Sequence, residues 1–268
     1  MAEKAILFDA TKCMGCRACQ VACKQWNELE GEVTTNWGSY ENPRDLSPQT
    51  WLKMEFREIE ANGALRWLFL RRSCMHCTNA ACVEVCPTKA LYYHPLGFVS
   101  YDKGKCGGCG YCAQFCPFNV PRLNTNRASG LGRMDKCTLC TIQGLDRIDN
   151  DLEPACVKTC PPQALNYDNR DQLITRGKAR IEELKAQGYN DATLYGENVV
   201  GGTHVLYVLD QSPAQYGLPT DPKVPTASTV WQNVIQPLGY AALGLVGIGL
   251  LLNIMVARAN MLNERKGR

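Results

Sequence analysis

Apolar and polar residues alternate through WLKMEFREIE, with Leu52, Met54 and Phe56 on one side; this is the period of a half-buried strand. ALRWLFLRR follows across Asn62-Gly63, and Asn-Gly between two such runs predicts a β-hairpin. Shorter runs predict further strands: Ala5 to Phe8, the pair ALYYH and GFVSYD around Pro95 and Gly97, then ALNYD and THVLYVLD. Between the last two the period becomes helical. Leu173, Ile174, Ile181 and Leu184 share one stripe over residues 169–187, and Gly188 suits the position just beyond the helix. Residues 24–49 and PRLNTNRASGLGRMD read as loops, and Pro213 to Pro225 as a Pro-rich linker.

The pattern then stops alternating. VIQPLGYAALGLVGIGLLLNIMVA, from Val234 to Ala257, carries no charge. Such a run makes about 36 Å of helix, enough for a hydrocarbon layer of about 30 Å. Arg258, Arg265, Lys266 and Arg268 follow it, whereas only Lys223 is basic between Gly217 and Gln236. The excess of basic residues places the C-terminus in the cytoplasm and the rest of the chain on the other face. MAEKAILFDATKC has no apolar stretch of signal-peptide length, and Arg71-Arg72 is internal. The expectation is therefore export in the folded state with a partner that carries the signal.

Net charge is +3 with no long run of one sign, which gives no footprint for nucleic acid. The cysteines change the picture. There are 16, in four compact groups: Cys13, Cys16, Cys19 and Cys23; Cys74, Cys77, Cys82 and Cys86; Cys106, Cys109, Cys112 and Cys116; Cys137, Cys140, Cys156 and Cys160. The first and third have the C-x2-C-x2-C-x3-C spacing of ferredoxin [4Fe–4S] sites, in which three thiolates wrap one cluster and the fourth reaches the other of a pair. Cys86-Pro87, Cys116-Pro117 and Cys160-Pro161 keep the exit from the motif extended; Lys24 stands in that place in the first. Thiols this close in sequence are a poor disulfide framework. The tight triplets do not suit structural zinc, and no C-x-x-C-H run offers a haem attachment. Four [4Fe–4S] clusters and electron conduction are the reading that remains. Spacing leaves the pairing of motifs open, one with four and two with three, or one with two and three with four.

CMGCRACQVACKQWN, CGGCGYCAQFCPFNVPRLN, KCTLC and EPACVKTCPPQAL, with YENPRDLSPQTW, VGGTHVLYVL and the C-terminal apolar helix, resemble the iron–sulfur (β) subunit of membrane-bound respiratory formate dehydrogenase. That family lies within the four-cluster electron-transfer subunits of molybdopterin oxidoreductases, whose cysteine motifs are also shared by some hydrogenases. The resemblance implies an α+β fold of two bacterial-ferredoxin-like two-cluster modules, one of them discontinuous. Residues 1–70 and 128–210 would carry motifs one and four with the inserted β-hairpin, and residues 71–127 motifs two and three. A linker over 211–232, a transmembrane helix over 233–257 and a basic cytoplasmic tail over 258–268 complete it. The implied ligand sets are Cys13, Cys16, Cys19 and Cys160 for cluster 1, and Cys23, Cys137, Cys140 and Cys156 for cluster 2. Cluster 3 would take Cys74, Cys77, Cys82 and Cys116, and cluster 4 Cys86, Cys106, Cys109 and Cys112. Because Cys109 is a cysteine, all four are expected as [4Fe–4S]. The chain itself would have no catalytic centre. It would relay electrons from a molybdenum or tungsten pterin subunit that oxidises formate to a membrane cytochrome b and quinone, at the inner membrane with the globular part periplasmic.

Other residues are given bland roles. His76, between Cys74 and Cys77, is expected to face solvent rather than a sulfur, and His94 and His204 to hold no metal. Lys12, Lys24, Lys89, Lys105, Lys136 and Lys158 lie near the motifs. There they would raise cluster potentials or simply be solvated. Ala241, Gly244 and Gly247 form a small-residue face, and Asn253 is placed to cap or to contact a partner near the cytoplasmic end.

Overall fold

The computed structural model describes residues 2–61, 63–125, 132–142 and 146–266. Its elements in chain order are β1 (Lys4–Asp9), α1 (Ala18–Trp26), β2 (Lys53–Ala61), β3 (Ala64–Arg72), α2 (Ala81–Glu84), β4 (Leu91–Tyr93), β5 (Val99–Tyr101), α3 (Tyr111–Gln114), β6 (Arg122–Thr125), β7 (Gly132–Asp135), α4 (Ala155–Lys158), β8 (Leu165–Asn169), α5 (Arg170–Ala186), β9 (Thr193–Tyr195), β10 (Val205–Leu209), α6 (Thr226–Val230) and α7 (Gln236–Lys266). The chain divides into two compact units at Val224/Pro225.

In the first unit a four-stranded sheet has the order β8-β1-β10-β9. β1 and β10 are parallel, and the outer pairs are antiparallel. Both faces of the two central strands are covered, so successive side chains enter different cores. Ala5, Leu7, Leu206 and Val208 meet Leu173, Ile181 and Leu184 of α5. Each of those three α5 side chains is buried, contributing about 1.5–3 kcal/mol. Ile6, Phe8, Val205, Tyr207 and Leu209 face the other way, against Met54, Leu68 and Leu70 of the β2–β3 hairpin and the thiols Cys19, Cys23 and Cys156.

β2 and β3 pair from Lys53↔Arg72 to Ala61↔Ala64, as the alternation predicts; Asn62 of the expected Asn-Gly turn lies outside the described residues. β4 and β5 pair as expected. PRLNTNRASGLGRMD does not run as a plain loop. Its ends form a second hairpin, β6 with β7, because Gly132 lets the strands approach closely: a Cβ there would sit 2.6 Å from the Asn124 carbonyl oxygen. β9 was not expected, since TLY is too short to show a period. Tyr216, in the stretch read as a linker, is buried and donates to Asp210 Oδ1.

In the second unit α6, a π turn at Trp231–Ile235 and α7 follow one another. Gln236–Arg258, 23 residues of mean hydropathy 2.1, is long and apolar enough to cross a membrane.

Candidate iron–sulfur centres

Short helices carry the thiols in pairs one turn apart. α1 bears Cys19 and Cys23, while α4 bears Cys156, with Cys160 just beyond it. The spacing i, i+4 puts both sulfurs of a pair on one face. α1 packs on α4, and α2 on α3 in the same manner, with Cys82 and Cys86 opposite Cys112 and Cys116. The backbone repeats as well. Lys89, Asn119 and Gln163, each three positions past its motif's last cysteine, have φ of 52°, 49° and 50°. A recurring left-handed residue that is not glycine marks a turn imposed by its surroundings.

The cysteines fall into neighbourhoods. Cys13 lies beside Cys16 and Cys160, and Cys19 beside Cys13 and Cys160. Cys23 lies beside Cys137, Cys140 and Cys156. Cys74, Cys77, Cys82 and Cys116 are mutual neighbours, and Cys112 adjoins Cys86, Cys106 and Cys109. Two neighbourhoods line cavities. One is walled by Cys23, Cys137, Cys140, Cys156 and Arg71. Another is walled by Cys86, Cys106, Cys109, Cys112 and Gly108. Among the described residues, no three His, Cys, Asp or Glu side chains close on a point as a single metal ion requires; the thiols surround a volume instead.

The chemistry of the donors fits a cluster. Burial pushes Cys13 up to about 11 and Cys19, Cys112 and Cys140 up to about 12, with neighbouring thiols adding to it. Only a bound cation makes such groups thiolates at neutral pH, so loading the site expels protons. N–H groups already point at sulfur: Gly15 to Cys13 at 3.5 Å, Met134 to Cys106 at 3.3 Å, Asn27 Nδ2 to Cys23 at 3.7 Å and Arg71 Nη2 to Cys156 at 3.6 Å. Arg71 Nε, Thr138 Oγ1 and Asn27 Oδ1 are buried without a protein partner, and all three residues line the cavity walled by Cys23, Cys137, Cys140 and Cys156. Bound iron–sulfur clusters would supply one-electron transfer there.

The bland expectations need correcting at two residues. His76 is fully buried, its Nδ1 bonded to the Val99 carbonyl at 2.8 Å. Burial and then Lys136 hold its pKa well below the imidazole range. Lys136 is not solvated either. It is 1% exposed, and its Nζ donates to the carbonyls of Val99 and Cys137 at 2.8 and 2.9 Å. Its charge favours the thiolates of Cys74, Cys77, Cys82 and Cys116, against the dominant effect of burial. Lys12, Lys89, Lys105 and Lys158 are exposed, and Lys24 is half-buried. His204 is buried with Nδ1 on the Lys4 carbonyl, and His94 stacks on Phe98. Sequence reading weighed Arg71 only as part of an internal arginine pair and passed over Asn27 and Thr138. The nearness to Cys74 that singles out a lysine elsewhere was available for Arg71.

Two models of the 4Fe-4S dicluster domain match, over residues 12–90 and 65–170. Two such domains and 16 cysteines define a protein that holds four [4Fe–4S] clusters and transfers electrons. Similar proteins narrow this. The nitrate-inducible formate dehydrogenase iron-sulfur subunit of Escherichia coli K12 is 43% identical, over 94% of this chain and 84% of its own length. The formate dehydrogenase-O iron-sulfur subunit of the same organism is 41% identical over 98% and 89%. The formate dehydrogenase iron-sulfur subunit of Haemophilus influenzae is 39% identical over 97% and 82%. The chain belongs to the family of formate dehydrogenase iron–sulfur subunits, the electron-transfer and not the catalytic component.

Proposed function

We propose that this chain is a linear relay between a formate-oxidising molybdenum or tungsten pterin subunit and a membrane cytochrome b that reduces quinone. The observation that carries it is the continuity of the thiol neighbourhoods. Cys19 adjoins Cys156, Cys74 adjoins Cys137, and thiols of motifs two and three pack on one small core around Leu91, Val99 and Met134. Clusters held as 1 (Cys13, Cys16, Cys19, Cys160), 2 (Cys23, Cys137, Cys140, Cys156), 3 (Cys74, Cys77, Cys82, Cys116) and 4 (Cys86, Cys106, Cys109, Cys112) then stand in sequence. Cys16 and Cys109 are the exposed cysteines, one in each terminal set. Electrons enter at the first and leave at the last.

Motif one pairs with motif four in this reading, and two with three. The packing of α1 on α4 and of α2 on α3 supports it. The two domain matches overlap over residues 65–90, so they do not choose the pairing. The first module spans residues 1–70 and 128–210 with the β2–β3 hairpin inserted, and the second spans 71–127. α7 anchors the chain in the inner membrane, with the globular unit periplasmic and the basic end cytoplasmic, as the flanking charges favour.

The test is Cys160→Ser followed by electron paramagnetic resonance of the reduced protein. The reading expects the cluster shared with motif one to change and those of motifs two and three to stay. A disturbance confined to a motif-three cluster would defeat the pairing.

A further inference from the structure

Arg71 presents a physical problem. It ends the hairpin next to Arg72 and is fully buried, at 0% exposure. A guanidinium carries its charge at every working pH, and an uncompensated buried charge costs several kcal/mol. Among the described residues it makes no ion pair with a carboxylate. Its polar contacts are Ser73 Oγ, which Nη1 reaches, and Cys156 Sγ, to which Nη2 donates at 3.6 Å. Nε is buried with no protein partner, on the wall of the cavity lined by Cys23, Cys137, Cys140 and Cys156. Tyr207 fixes the backbone there, its hydroxyl donating to the Arg71 carbonyl at 2.7 Å. Burial works against the charge, yet the surrounding thiols Cys156, Cys137 and Cys19, with Tyr207, hold its pKa above the ordinary value.

Those thiols belong to two neighbourhoods, Cys19 to one and Cys137 and Cys156 to the other. We infer that Arg71 is the positioning residue that sets the potential of the cluster held by Cys23, Cys137, Cys140 and Cys156, and with it the electron step from the cluster held by Cys19. This rests on the ligand sets given under Proposed function. Arg71 offsets the extra negative charge when one electron passes from the Cys19 side, which is oxidised, to the Cys156 side, which is reduced. No bond forms or breaks and no proton moves. A cation that donates to a ligand sulfur favours the more negative, reduced form and raises the potential. Lys136 stands chiefly beside the next neighbourhood, Cys74, Cys77, Cys82 and Cys116, and reaches this one through the Cys137 carbonyl and not through a sulfur.

The experiment is a potentiometric titration, read by electron paramagnetic resonance, of the membrane complex carrying Arg71→Met, Arg71→Gln or Arg71→Lys, beside Cys156→Ala to identify the signal. The neutral variants should shift one midpoint downward by at least tenfold in the redox equilibrium, about 59 mV for one electron. Iron content should be unchanged, and the signal should be the one that Cys156→Ala removes. Arg71→Lys should restore most of the shift, and the cluster beside Lys136 should not move. Unmoved midpoints at full iron content overturn the inference. So does loss of the cluster in both neutral variants, which would make the arginine an assembly element. A shift confined to a signal that survives Cys156→Ala refutes the ligand set and, with it, the link to Arg71.

Discussion

At the scale of single residues, what decides the sites is close approach and charge. Gly108, in motif three, has φ +73°, and a Cβ there would sit 2.1 Å from the Gly132 carbonyl oxygen. The neighbour is backbone and cannot turn away, so Gly108→Ala should cost about 3 kcal/mol locally. The expected outcome is loss of about four irons of about sixteen. Gly107→Ala, whose Cβ would meet only the Thr88 methyl at 3.5 Å, should keep them all. Iron analysis of the two variants checks this, and full loading of Gly108→Ala would contradict it. The four cysteine motifs were legible in the sequence because a cluster site fixes thiol spacing within a few residues. Arg71 and Lys136 were not, because nothing local distinguishes a buried cation from a solvated one. Only tertiary packing takes their charge out of water, Tyr207 of the sheet against Arg71 and Val99 and Tyr101 of β5 against Lys136.

Elements follow the same division. β1, β10, the β2–β3 hairpin and α5 were readable because each buries a face whose period is written in side chains. The β6–β7 hairpin was hidden by its polar, Gly-containing composition, since backbone approach at Gly132 and not a side-chain stripe joins it. The Gln236–Arg258 span of α7 is the most legible stretch, with no charge before Arg258. The proposed role of this helix as a membrane anchor predicts a cost for charge at its middle. Ile248→Arg should disfavour insertion by about 2.5–3.5 kcal/mol. The fraction of chain that stays in membranes after an alkaline wash should fall. Retention equal to the unsubstituted chain would mean that α7 is not what holds the protein there.

For the whole molecule, topology and relay are separate claims. The proposed orientation, with the C-terminus in the cytoplasm, rests on the basic residues that follow the span. Protease added to intact spheroplasts should therefore digest the globular unit and spare a tag at Arg268; protection of the globular unit until lysis would reverse the orientation. The relay needs every one of the four thiol neighbourhoods to be filled with iron and sulfide, whichever way the protein faces. The most direct measurement is metal and acid-labile sulfide analysis of the chain produced with its clusters and purified without oxygen. About sixteen irons and about sixteen sulfides per chain, with no zinc, is the predicted result. A colourless protein holding a few zinc ions, or one saturating at about half that iron, would contradict it.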